Sequence, residues 1–394
     1  MLPNYYEFQN SVKILSGKSA IENIPYELSN LGAKRPIILT NSMLVKFGLT
    51  GIVVGALKDL NMQIGCIYED IPADSSIKVV NDIAKVYREK GCDSIIAVGG
   101  GSVLDTAKGL GIVISQNSDD IMNFMGNEIL KRKDRVPFIA VPTTAGTGSE
   151  ATLVAVIANP DRNVKMEFIS YNLLPDVAVL DARMTKSLPA RITASTGMDA
   201  LCHAVEAYSC IQKNPLSDAY SFAAINLIRE YLPLAVENGS DEKARLAMAN
   251  ASLMAGAAFS NSMVGLVHAI GHACGGECHV AHGDAMGILL PHCMEYNMDA
   301  LKDSYGELLL PLGGAELYSC TAKQDRGSKS VEIIKGMLRM YNEKCGLPTR
   351  LSEVNVTEND LDRIAEKALN DGAIITNPKE ADIKDILGIL KKAL

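Results

Sequence analysis

Nowhere in the 394 residues is there an uninterrupted apolar run of 18 or more. A helix that crosses a hydrocarbon core needs about 20 such residues, so no membrane-spanning helix is expected. The opening MLPNYYEFQN lacks the basic and then apolar order of a secretory signal. Basic charge is also in short supply: 38 Lys and Arg stand against 46 Asp and Glu, with no basic block longer than KRKDR at 131–135. That excludes the electrostatic footprint of a nucleic-acid or anionic-membrane binder and leaves small neutral or cationic partners open. Regular cysteine spacing is missing as well, because nine cysteines scatter from Cys66 to Cys345. An odd, irregular set predicts reduced thiols, and with the other absences a soluble cytoplasmic protein. No internal repeat and no low-complexity linker is visible. Histidine is scarce too, yet five of the six lie between His268 and His292.

What is present fits two domains, the expectation at roughly 100 to 200 residues each. Up to Leu188-Pro189, β-branched runs alternate with helix-like stretches. PIILT (36–40), QIGCIY (63–68), SIIAV (94–98), VPFIAV (136–141), TLVAVIA (152–158) and VAVLD (177–181) read as strands, most of them apolar throughout as buried parallel strands are. Between them, 75–90 and 102–115 have helical periodicity. Beyond Ala190 the chain is rich in Ala, Leu and Met at helical spacing, over 192–210, 216–237, 241–260, 262–274, 283–301, 329–345, 357–370 and 379–393. The prediction is an α/β domain with a mostly parallel sheet over 1–189 and an all-helical domain over 190–394.

Two loops in the first half carry ligand-binding chemistry. SIIAVGGGSVLDTAKG places Gly99, Gly100, Gly101 and Ser102 between a buried strand and a helix. Glycines let a ligand approach the backbone, and the free N–H groups at a helix start attract a diphosphate. The spacing is not G-x-G-x-x-G, so a plain strand-to-helix turn is the competing reading. PTTAGTGSE (142–150) also follows a strand and offers Thr143, Thr144, Thr147 and Ser149 at what should be the same sheet edge, where ligands of open α/β sheets bind. An acidic residue after an early strand commonly reads the ribose of NAD. Here PIILT runs into Asn41, which is equally suited to capping a helix and leaves NAD against NADP open.

The helical half holds the second constellation. In GMDALCHAVEAY, Asp199 and His203 are four residues apart, so on a helix their β-carbons lie about 5–6 Å apart on one face. They can share a metal or form a simple hydrogen-bonded pair. His268 and His272 repeat the spacing in GLVHAIGHACGGECHVAHGDAMG. One continuous helix would carry His282 about 21 Å from His268, beyond a shared ion. Gly275 and Gly276 offer a break that lets His282, at the start of the next helix, fold back. One Asp and three His then make a first shell for a divalent transition ion with a position open for substrate. The competing arrangement is a closed zinc site from Cys274, Cys278, His279 and His282, although its ligand pairs are unusually close in sequence. His279 and His292 otherwise read as capping or surface histidines.

Together GGGSVLDTAKG, PTTAGTGSE, GMDALCHAVEAY and NSMVGLVHAIGHACGGECHVAHGDAMGILLPHCMEYN resemble the iron-containing (group III) alcohol dehydrogenases, in the same order and over essentially the whole chain. The resemblance implies a dehydroquinate synthase-like fold, with a dinucleotide-binding α/β domain facing a helical metal-binding domain across a cleft. It implies metal ligation by Asp199, His203, His268 and His282, and proton relay by His272. Cofactor contacts would come from Asn41, Gly99, Gly100, Gly101, Ser102, Thr143, Thr144, Thr147, Ser149, Lys165 and Leu180. The implied ion is Fe2+, although the same donors suit Zn2+ or another divalent ion. The implied reaction is reversible hydride transfer between a small primary alcohol or aldehyde and NAD or NADP, in a homo-oligomer, a dimer or larger. Val154 and Phe259 match substrate-cleft positions of the family. Two positions depart from its pattern: Ala281-His282-Gly283 replaces Pro-His-Gly, and Asn41 replaces an acidic residue. The rival readings are a metal-dependent hydrolase or lyase acting on a phosphorylated small molecule, and a non-catalytic nucleotide-binding protein.

Overall fold

Six strands, the inner four buried throughout, build the sheet that positions the first loop pair. The computed structural model describes residues 3–59, 62–127, 130, 135–160 and 164–394; apart from Arg135, the KRKDR block lies outside them. The chain separates into two units. One comprises Gln9–Thr144 and Gly148–Ser187; the other comprises Leu188–Leu394 with Ala145–Thr147 and the segment ending at Phe8.

The first unit contains, in order, β1 (Lys13–Ser16), α1 (Ile24–Asn30), β2 (Pro36–Leu39), α2 (Ser42–Lys46), α3 (Leu49–Asp59), β3 (Cys66–Tyr68), α4 (Ile77–Glu89), β4 (Ser94–Gly99), α5 (Gly101–Ser115), β5 (Gly126–Asn127), β6 (Phe138–Pro142), β7 (Val154–Asn159), β8 (Val164–Ile169) and β9 (Val177–Leu180). The main sheet runs β1-β9-β6-β4-β2-β3, with every neighbouring pair parallel. Period-2 alternation sorts its side chains. Ile37, Leu39, Ile95, Ala97, Phe138 and Ala140 pack on one face with Val80, Ile83, Leu104 and Leu110 of α4 and α5. Ile38, Ile96, Val98, Ile139 and Val141 pack on the other with Ile24, Leu28, Val53 and Leu57 of α1 and α3.

Two strand expectations are corrected. TLVAVIA does form β7, but it pairs antiparallel with β8 in a separate three-stranded sheet ordered β5-β8-β7. An apolar run reports burial, not the sheet that supplies it. QIGCIY is strand only over Cys66–Tyr68, the edge of the main sheet. The opposite edge strand β1 is short and mostly exposed, so it carries no apolar run that could announce it.

The second unit is helical: α6 (Ala190–Ser209), α7 (Pro215–Glu237), α8 (Glu242–Ser260), α9 (Leu266–Cys278), α10 (His282–Cys320, interrupted at Leu301 and Gly314), α11 (Arg326–Cys345), α12 (Leu361–Leu369) and α13 (Ile383–Ala393). At its centre lies α6, buried from Thr193 to Ser209 except at Thr196. A helix covered on all sides needs a reason for every ionisable residue it holds. This one holds Asp199, His203 and Glu206, at i, i+4 and i+7 of a single stripe. Among the described residues no helix is long and apolar enough to cross a membrane, and all nine cysteines are unpaired.

Candidate active site

Three helices deliver the metal-type donors. Asp199 and His203 come from α6, and His268 from the first turn of α9. The helix does not break at Gly275-Gly276 as expected. It continues to Cys278 and ends where His279 takes a left-handed conformation (φ 56°), after which α10 starts with His282 as its first residue. His282 returns to the site because α10 is clamped to α6. Asp284 accepts both terminal nitrogens of Arg191, at 2.8 and 2.7 Å, and the Ser195 hydroxyl at 2.7 Å. At Gly283 the backbones approach so closely that a Cβ would stand 2.6 Å from the Ser195 carbonyl oxygen. The Ala281 departure therefore leaves the turn held by the residues that follow it.

One ligand atom from each of Asp199, His203, His268 and His282 lies within 4.8 Å of the other three. The His282 Nε2 to Asp199 Oδ1 distance is 3.4 Å, and His203 Nδ1 to the same oxygen is 3.8 Å. The first three residues are buried, while the His282 side chain is 39% exposed, which gives the group an open side. Burial pushes the His203 imidazole down to about 3 and holds His268 well below its ordinary value, so both rings are neutral at pH 7. Burial also penalises the Asp199 charge, but the surrounding imidazoles keep its carboxyl below the usual range. Neutral rings beside an ionised carboxylate are the protonation states that ligation requires.

The fit to a divalent ion rests on atoms left over. Asp199 Oδ1, His203 Nδ1 and His268 Nε2 are all buried without a hydrogen-bond partner. Buried polar atoms are nearly always satisfied, and three converging exceptions fit the donor set of a cation. The closed zinc alternative is not formed: among the described residues, no group able to hold a metal includes Cys274, Cys278 or His279. Burial pushes the Cys274 thiol up to about 12, as an inert core cysteine.

His272 sits one turn beyond His268 and outside the four-donor group. Its ring stacks on His282 with centroids 5.5 Å apart, and its Nδ1 lies 2.9 Å from Asp371 Oδ2. Asp371 comes from a loop 99 residues away, so no local spacing announces it. Phe259 stacks on His203 with ring centroids 4.4 Å apart and covers the metal group with an apolar face. Gly146, from the second loop, is packed so that a Cβ would meet Asp199 Oδ2 at 3.1 Å.

The dinucleotide-type loops leave adjacent parallel strands. Gly99 of β4 is in register with Pro142 of β6, and the Gly99 carbonyl accepts the Thr143 amide at 3.0 Å. Gly100 caps α5 without any side chain, leaving the helix start to a ligand. A Cβ at Gly99 would strike Val103 at 2.4 Å, and one at Gly100 would sit 3.2 Å from the Thr144 hydroxyl. Several candidate donors are engaged within the protein. The Ser102 hydroxyl donates to the Ala73 carbonyl, and that of Ser149 to Asp105 at 2.8 Å. Lys165 is exposed and pairs with Asp74 at 3.0 Å. Leu180 is fully buried at the end of β9. Thr144 and Thr147 are half-buried. Asn41 caps α2, accepting the Leu44 amide at 3.0 Å, and forms an isolated bridge with Asp70, an exposed acid the spacing did not single out.

Known proteins resemble this chain over nearly its whole length. A family model described as iron-containing alcohol dehydrogenase matches residues 11–182, and one for the C-terminal part of the Fe-containing alcohol dehydrogenase family matches 193–394. The NAD-dependent methanol dehydrogenase of Bacillus methanolicus is 36% identical over 96% of this chain and 97% of its own. A solved 1,3-propanediol oxidoreductase superposes with TM-score 0.94 at 34% identity, covering 99% of this chain and all of the other. An alcohol dehydrogenase from Oenococcus oeni gives 0.93 at 35% identity, with the same coverage of both chains. The chain belongs to the iron-containing alcohol dehydrogenase family and is an oxidoreductase acting on alcohols. None of these relatives supports hydrolysis or lyase chemistry.

Proposed function

We propose that the protein oxidises short primary alcohols to aldehydes, and reduces them back, with NAD as hydride carrier and a ferrous ion held by Asp199, His203, His268 and His282. The observation that carries this is the convergence of those four donors, three of them with buried atoms left unpartnered. A bound ion supplies Lewis acidity that favours ionisation of an alcohol hydroxyl, and the nicotinamide supplies the hydride acceptor.

The chain's own residues account for the rest. Gly99, Gly100, Gly101 and the amide of Ser102 offer a diphosphate a backbone cradle at the start of α5. Thr143, Thr144 and Thr147 add neighbouring hydroxyls, and the 1–189 and 190–394 portions thus serve the dinucleotide and the metal respectively. Asp371 orients His272, which holds a proton for exchange with solvent. Phe259 keeps water from the metal group and favours a small aliphatic substrate over a polyol. The exposed carboxylate of Asp70 beside Asn41 would repel the additional phosphate of NADP. Methanol and propanediol relatives support the short primary alcohol. Unpaired cysteines support a reducing, cytoplasmic setting, and a homo-oligomer is the expected assembly.

The test is a rate comparison with NADH and NADPH over short aldehydes, using protein purified without oxygen and assayed for metal. Faster turnover with NADH on aldehydes of a few carbons is expected. A metal-loaded protein that never changes nicotinamide absorbance with any alcohol or aldehyde would sink the reading. His203→Ala should lose turnover and metal while retaining dinucleotide affinity.

A further inference from the structure

Beside the four-donor group, one carboxylate joins α6 to the start of α9. Glu206 is 5% exposed and lies one turn beyond His203. Its Oε1 accepts the Val267 amide at 2.8 Å, and its Oε2 rests against His268 Nδ1. The Gly265 amide also donates to it. Gly265 is the residue that begins α9, and it has no side chain with which to cap the helix. Glu206 therefore does from a neighbouring helix what an Asp or Ser at the cap does locally, with its negative charge at the positive end of the helix dipole. The approach is tight, since a Cβ at Gly265 would come within 3.2 Å of Glu206 Oε1 and 3.1 Å of Asn377 Oδ1, and those side chains would have to give way. The same turn is held from the other side: Asn377 accepts the Leu266 amide at 3.3 Å and exchanges paired amide bonds of 2.9 and 3.0 Å with Asn297.

The consequence lies in the imidazole. Burial raises the Glu206 carboxyl to about 7 while the Val267 and Gly265 amides favour its ionised form; once ionised it only accepts hydrogen bonds, and a neutral imidazole has one N–H. With the Val267 amide on Oε1, Oε2 faces the ring, and an ionised Glu206 then calls for the ring's proton on Nδ1. Nε2 then keeps its lone pair, and Nε2 is the His268 atom that is buried without a hydrogen-bond partner. We propose that Glu206 is a positioning residue for the metal: by capping α9 and accepting from His268 Nδ1 with one carboxylate, it fixes the tautomer and direction of His268 so that Nε2 is always the donor. The inference rests on the four-residue metal assignment.

One alternative uses the same atoms. Cys202, Glu206 and His268 also form a group able to hold an ion, with Cys202 Sγ 3.9 Å from Glu206 Oε2 and 4.0 Å from His268 Nδ1. A second ion there would take Nδ1 and displace its proton.

Three measurements on the full chain decide the matter. Zinc titration against a chromophoric chelator gives stoichiometry and affinity for wild type and Glu206→Gln. Thermal unfolding of the metal-free forms reports the helix cap. Nitrogen-15 spectra of histidine-labelled, zinc-loaded wild type report which ring nitrogen of His268 carries the proton. We expect one ion per chain, an Nδ1–H tautomer, and affinity for Glu206→Gln lower by about ten- to a hundredfold. The metal-free unfolding temperature of Glu206→Gln should change little, because the amide oxygen can still cap α9 while its NH2 opposes the Nδ1–H. Unchanged affinity in Glu206→Gln overturns the proposal, as does a second ion on each chain or a zinc-loaded His268 whose Nδ1 carries no proton. A large loss of metal-free stability matching the loss of affinity overturns it in favour of a purely structural cap. If wild type itself binds no ion, or His203→Ala binds as wild type does, the metal assignment has failed instead. The wild-type spectrum needs no variant, so misfolding of Glu206→Gln would leave the proposal testable.

Discussion

A buried aspartate among imidazoles is stable if the rings take up protons or if all share a cation. Burial holds His203 and His268 neutral, which leaves His282, 3.4 Å from Asp199 Oδ1, and a shared cation as the groups that can answer the Asp199 charge. Asp199→Asn should weaken zinc or ferrous binding by about a hundredfold or more, because it replaces the one anionic donor of the group with a neutral amide. Chelator competition measures the effect, and unchanged affinity would contradict the argument. A second buried acid offers a pH test. Burial raises the Glu150 carboxyl from 4.5 to about 7, and its Oε1 has no hydrogen-bond partner. Between those values the folded chain holds a proton that the unfolded chain has released, so this group's contribution to stability falls as pH rises from 4.5 to 7. Glu150→Gln should flatten urea midpoints across that window, by up to about 3 kcal/mol at its upper end. A variant whose midpoints keep the wild-type slope would reject it.

Among the elements, the start of α10 matters more than its length. Asp284 and Gly283 lock that first turn to α6, and the lock aims His282 at Asp199. Gly283→Ala must push the two backbones apart, at about 1–3 kcal/mol. It should lower the unfolding temperature and weaken metal binding together, whereas dinucleotide binding, proposed at β4 and α5, should persist. Calorimetric titration with metal and with NADH separates these outcomes, and unaltered metal affinity would show that α10 is not held by this contact. Element existence was largely legible: the helical runs of the second half correspond to α6 through α13, and the apolar runs of the first half correspond to strands. Element partnership was not, because the β7 run has the same apolar character whether it enters a parallel sheet or a separate hairpin.

For the molecule as a whole, the ion should act as a stabilising ligand of the helical unit, because the unfolded chain cannot assemble donors drawn from α6, α9 and α10. At free zinc a hundredfold above its dissociation constant, stability should rise by about 2.7 kcal/mol. Scanning calorimetry before and after chelation reads this as a loss of unfolding temperature that zinc restores. No change on chelation would mean that the folded chain does not hold the ion.

What the sequence determined by itself is the inventory and its local spacing. The i and i+4 pairs Asp199/His203 and His268/His272 follow from 3.6 residues per turn, and the two glycine-bearing loops follow from strand-to-helix patterning. Glu206 was within reach of the same arithmetic, seven residues from Asp199 on one stripe, and the burial of α6 is what makes it significant. Only the tertiary structure decided that α9 runs to Cys278, that Asp284 returns His282 to the group, and that Asp371 meets His272 across 99 residues. Spacing along one helix is fixed by backbone geometry. A meeting between distant segments is fixed by packing, which no local period contains.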